Sequence, residues 1–92
     1  MQKWAPNKLL AIQLVRAGAF DSAYYLAKYP DVAQAGLDPA LHYVKKGWKK
    51  RNPARWFKTA KYLERNPDVA ISGMNPLYHY LKVGYAEQRS LV

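Results

Sequence analysis

His42 and His79 are the only histidines in the chain, and each is followed by a tyrosine, Tyr43 and Tyr80. An imidazole can ligate a metal, move a proton or serve as a polar strut inside a fold. A metal site needs further donors converging on it, and the chain has no cysteine. The carboxylates at matching places, Asp31 and Asp68, read instead as helix-start residues facing the positive end of a helix. The histidines are therefore expected to be half-buried, each bonded to the adjacent turn. Nucleophilic chemistry has no better footing. Ser22, Thr59, Ser72 and Ser90 stand alone, without a Gly-x-Ser-x-Gly elbow or a third group to orient a histidine. The few carboxylates sit mostly at helix starts, which leaves no acid–base pair of the glycosidase kind. Each glycine is single and punctuates a helix end, so none builds a phosphate loop. No enzymatic activity, metal or cofactor is expected.

The other residues able to act are cations. The chain carries a formal charge of +9, and nearly all of it falls in residues 45–65. Lys45, Lys46, Lys49, Lys50, Arg51, Arg55, Lys58, Lys61 and Arg65 stand there against Glu64 alone, a net +8. Trp48 and Trp56 bracket the densest part, Lys49-Lys50-Arg51-Asn52-Pro53-Ala54-Arg55. Two readings are open: a solvated loop with both tryptophans folded inward, or a basic, aromatic-flanked contact surface. A cluster of one sign suits an acidic partner, whether nucleic acid, an anionic membrane surface, an acidic glycan or an acidic protein patch.

The elements that hold these residues are written twice. Residues 20–55 and 57–92, compared at a constant offset of 37, share 14 identities in 36 positions, from Phe20/Phe57 through Pro30/Pro67, Asp31/Asp68, Gly36/Gly73, Pro39/Pro76 and His42/His79 to Gly47/Gly84. A fixed period of this length marks stacked supersecondary units. Ninety-two residues, half of them apolar, make one domain with a modest core. It divides into an N-terminal capping helix (1–18), a first repeat (19–55) and a second (56–92). The first helix is expected over Lys8 to Ala17, introduced by Pro6 and Asn7 and closed by Gly18. Its apolar stripe is broad enough that the repeats are expected to cover it. Asp21 is expected to cap a helix that Pro30 ends, a short turn runs from Asp31 to Gly36, and Asp38-Pro39 opens a helix that Gly47 closes. The second repeat restates this plan, with a helix from Trp56 to Arg65, Asn66 and Asn75 as caps, and Gly73 and Gly84 as stops. With no period-2 alternation of strand length, the fold class is all-α, solenoid-like or a small bundle. The tyrosines at 25, 43, 62 and 80 recur with the repeat and are assigned to the core, which leaves Trp4, Tyr78, Trp48 and Tyr85 as aromatics with less reason to be buried.

The pattern F-D-x-x-Y-Y-L-x-x-x-P-D-V-A-x-x-G-x-[DN]-P-x-x-H-Y-x-x-x-G followed by E-G-R resembles a bacterial helical repeat. That repeat occurs beside glycosyltransferase domains of surface-polysaccharide synthesis, including rhamnan-synthesis-like proteins, and in large secreted or surface proteins. The resemblance covers Phe20 to Arg89 and implies an accessory part. Two departures stand out: Lys58 replaces the acid found at Asp21, and the E-G-R tail, kept as Glu87-Gln88-Arg89, is Lys50-Arg51-Asn52 in the ungapped first repeat.

The function expected from these observations is a non-enzymatic interaction module that docks an acidic protein surface in a larger assembly, or an anionic glycan. Its contact residues are Lys45, Lys46, Trp48, Lys49, Lys50, Arg51, Arg55, Lys58, Lys61 and Arg65. One alternative is a small nucleic-acid-binding protein gripping phosphates without sequence preference. Another is a peripheral membrane module, disfavoured because Asn52-Pro53 interrupts any long amphipathic helix. No apolar run is long enough to span a bilayer and no signal-cleavage site stands out, so with the bacterial resemblance the cytoplasm or the membrane periphery is the expected location.

Overall fold

Prolines and capping side chains divide the chain into short helices. A computed structural model describes residues 4–91, with side chains from residue 7 onward. The elements are α1 (Trp4–Arg16), α2 (Ser22–Lys28), α3 (Pro30–Gln34), α4 (Pro39–Lys45), a 3-10 turn (Gly47–Lys49), α5 (Thr59–Arg65), α6 (Pro67–Ser72), α7 (Pro76–His79) and a π turn (Tyr80–Gly84). Among the described residues there is no strand, only an isolated bridge between Ala54 and Phe57. The fold is all-α, a small helical bundle 36 × 34 × 23 Å across.

The starts and stops follow from local chemistry. Asp21 Oδ1 accepts the Tyr24 N–H at 2.9 Å. Asp38 Oδ1 accepts from Ala40 and Leu41, and Asn75 Oδ1 from Tyr78, each just before a proline that has no N–H to satisfy. Gly36 and Gly73 lie at φ of 69° and 75°, the left-handed region in which a side chain is strained.

α1 packs on α4, burying Ala11 and Leu14. It begins at Trp4, earlier than the sequence suggests, because Pro6 is tolerated in a first turn. The covering of its apolar stripe is only partial: Leu9, Ile12 and Val15 remain exposed. The centre of the molecule is aromatic. Tyr25 and Tyr43 lie within 6.1 Å of each other and both touch Phe20, and Phe57, Tyr62 and Tyr80 form the same cluster in the second half. The halves meet where the Tyr43 hydroxyl lies 3.2 Å from Thr59 Oγ1, both buried.

Three local expectations are corrected. The helix expected from Trp56 begins only at Thr59, because Phe57 is drawn into the core by a turn in which its N–H reaches the Ala54 carbonyl. Asn66 does not cap α6; its amide donates to the Tyr62 carbonyl and its oxygen accepts from Arg89. Gly47 and Gly84 are not left-handed stops, and both are buried. A Cβ on Gly47 would overlap the Tyr25 hydroxyl, and one on Gly84 the Tyr62 hydroxyl. Close approach, not turn geometry, requires glycine at these two places.

Candidate functional site

Each half carries the same pair of clasps. The Tyr25 hydroxyl bonds His42 Nδ1 at 2.8 Å, and the Tyr62 hydroxyl bonds His79 Nδ1 at 2.9 Å. The histidines therefore join the third helix of each half to its first, 17 residues back, rather than to the adjacent turn. In the second clasp Arg51 grips Asp31 with two bonds of 3.1 and 3.0 Å, while Arg89 grips Asp68 with two of 3.0 Å. The two arginines stand 38 residues apart, not 37. In the first half the Arg51 N–H bonds the Gly47 carbonyl at 2.7 Å, and in the second the Arg89 N–H bonds the Gly84 carbonyl at 2.9 Å with one more residue between. The extra residue lies between Gly84 and Arg89, where Gln88 adopts a φ of 60°. Arg51 is thus the structural counterpart of Arg89, which corrects the ungapped alignment of the E-G-R tail.

These clasps fix the neighbourhood of the basic run. Arg51 also lies over the Tyr29 ring, 4.7 Å from its centroid, and the Tyr29 hydroxyl accepts the Asn52 N–H at 2.8 Å. Asn52 Oδ1 in turn accepts the Thr59 N–H at 3.0 Å. That bond supplies from a distance the acceptor that α5 lacks at its own N-cap, where Lys58 stands. Burial pushes the Tyr25 hydroxyl up to about 12, with Arg51 pulling the other way. Burial and the Arg51 charge push His42 down, and the hydrogen bonds from Arg51 hold Asp31 below the usual carboxylate range.

Lys45, Lys46, Lys49, Lys50, Arg55, Lys58, Lys61 and Arg65 are exposed. Trp48 is half-buried against the core, with Lys49 Nζ 5.6 Å from its ring centroid. Trp56 is 42% exposed. Arg55 lies over Tyr24 at 5.5 Å. Among the described residues, Arg51 alone of the nine cations makes an ion pair. Lys46, Lys49, Lys50 and Arg51 converge on a cavity of about 360 Å³ whose wall also includes His42 and Gly47. Lys45 and Lys46 border a neighbouring one of about 180 Å³ with Leu37, Asp38, Leu41 and His42. Lys58, Lys61 and Arg65 line neither of these.

Comparison with protein-family models, with curated proteins and with solved structures returned no match to this chain. The site is therefore read from its own chemistry. Among the described residues no three or more His, Asp or Glu side chains group as a metal would require. No described helix is long and apolar enough to cross a membrane. The sequence did not mark His42 as part of the basic region. A comparison allowing one inserted residue aligns Arg51 with Arg89, but the place of His42 beside the cations comes from the fold.

Proposed function

We propose that the chain is a non-enzymatic helical-repeat interaction module that docks an acidic surface through its basic junction. The partner is a protein of a larger assembly or an anionic glycan. One observation carries this reading: eight of the nine cations between 45 and 65 are exposed and make no ion pair among the described residues. Exposed lysines contribute little to folding, and like charges this close repel, so the fold has no use for them. Lys58 adds to the point, because a cation at the start of α5 opposes the helix dipole where Asp21 complements it. The resemblance to repeats beside polysaccharide-synthesis domains supports an accessory, binding role.

The test is a charge reversal that spares the clasp: Lys46, Lys49, Lys50 and Arg55 to Glu, with Arg51 kept because it holds Asp31. The original chain is expected to bind immobilised poly-L-glutamate and a polyuronate, and to release both as salt shortens the Debye length below about 10 Å. The variant is expected to keep its helical circular dichroism and lose both. Undiminished binding by the folded variant overturns the reading. Retention of duplex DNA by the original chain, with neither acidic polymer bound, moves the assignment to nucleic acid.

A further inference from the structure

We propose that the cavity beside His42 is a binding site for a tetrahedral oxyanion, the terminal phosphoryl or sulfuryl group of an acidic partner. The inference rests on the basic-junction reading and adds to it a pocket that favours one chemical group over the carboxylates that the junction at large attracts.

The donors converge from two sides. α4 and the residue after it bring His42 and Lys46; the 3-10 turn and its exit bring Lys49, Lys50 and Arg51. Lys49 already lies against the Trp48 ring, and Arg51 gives both terminal nitrogens to Asp31. Among the described residues, Lys46 and Lys50 are therefore the ammonium groups of this wall without a partner. Arg51 contributes position and a field that Asp31 partly offsets.

His42 adds a directed donor. The Tyr25 hydroxyl bonds His42 Nδ1 at 2.8 Å and holds the ring in place. In the proposed site the hydroxyl donates its proton to Nδ1. A neutral imidazole bonded in this way carries its own proton on Nε2, the nitrogen turned away from Tyr25 on a ring that lines the cavity. One N–H and two ammonium groups around a space of about 360 Å³ match an anion with several oxygens pointing in different directions. A carboxylate, with two coplanar oxygens, uses less of this arrangement.

The second half supplies an internal control. It has the same tyrosine–histidine bond, the same buried glycine and the same arginine–aspartate grip. Yet Val83, Ala86 and Glu87 stand in the places of Lys46, Lys49 and Lys50, and His79 is only 8% exposed. The frame is complete without lysines, so the three in the first half are additions to it.

The experiment follows the ring resonances of both histidines by NMR while inorganic phosphate, sulfate or acetate is added to the full chain at constant ionic strength. Phosphate or sulfate is expected to move the His42 signals to saturation and leave those of His79 in place. Lys46→Gln together with Lys50→Gln is expected to weaken binding about tenfold or more with His79 unmoved, which reports an intact fold. Parallel, non-saturating drift of both histidines, or an equal response to acetate, overturns the proposal. If that happens while the charge-reversed chain still loses the acidic polymers, the junction docks without this cavity and only the present inference falls.

Discussion

Replacing Gly47 with alanine tests the packing logic of both halves. The backbone there is not left-handed, so in an empty site alanine would stabilise by about 0.4–1 kcal/mol through the unfolded chain. The site is not empty, because the new methyl would overlap the Tyr25 hydroxyl. Tyr25 cannot swing aside: it is fully buried among Phe20, Tyr29 and Tyr43 and tied to His42. Overpacking of this kind costs about 1–3 kcal/mol, and displacing the hydroxyl from His42 adds about 1 kcal/mol. Without the hydroxyl, the next neighbours of the methyl are the terminal ring carbon of Tyr25 at 3.4 Å and Arg51 Cβ at 3.5 Å, ordinary contacts. Gly47→Ala is therefore expected to destabilise the original chain by about 2–4 kcal/mol and to be neutral or slightly stabilising beside Tyr25→Phe. Urea unfolding of the four proteins in the cycle measures the coupling. A coupling below about 0.5 kcal/mol would mean that the glycine is there for another reason.

Gly73→Val is expected to destabilise by about 1 kcal/mol or more, because a β-branched residue must be held at φ of 75°. The space beside Gly73 is open, so equal unfolding free energies would refute the conformational argument alone. A third expectation concerns alkaline stability. The Tyr25 pKa is raised by burial from 10.0 to about 12, so the stabilisation tied to its neutral form is complete below pH 10 and is lost as pH rises through about 12. Tyr25→Phe should flatten the loss of stability across that window, and a phenolate absorbance titration in which every tyrosine ionises near its ordinary pKa would contradict it.

The caps and left-handed turns were legible because each depends on one or two neighbouring residues. Asp38-Pro39, Asn75-Pro76, Gly36 and Gly73 announce themselves within a window of four. What the sequence concealed depends on distant partners. Asp31 is the helix-start acid that its place suggests, but nothing local reveals that Arg51, 20 residues on, also holds it. Asn66 has the chemistry of a cap, but the Tyr62 carbonyl and the Arg89 guanidinium are better placed and take both ends of its amide. Trp56 and Phe57 continue a helical pattern on paper, but burying Phe57 outweighs that local preference and delays α5 to Thr59. The basic run was fully legible as charge. Its gathering around His42 was not, because that depends on the 3-10 turn that brings Lys49, Lys50 and Arg51 back beside α4.

That one residue has a consequence for how such a chain can diversify. Between the buried glycine and the clasping arginine the first half inserts three residues and the second four, and in both the arginine arrives at the same carboxylate. The fixed points are the glycine, the arginine and the groups they meet; what lies between is free in length and in character, lysine-rich in one half and lysine-free in the other. A chain whose two halves share these fixed points can show different chemistry to the outside in each half. Neither half has to renegotiate its core to do so.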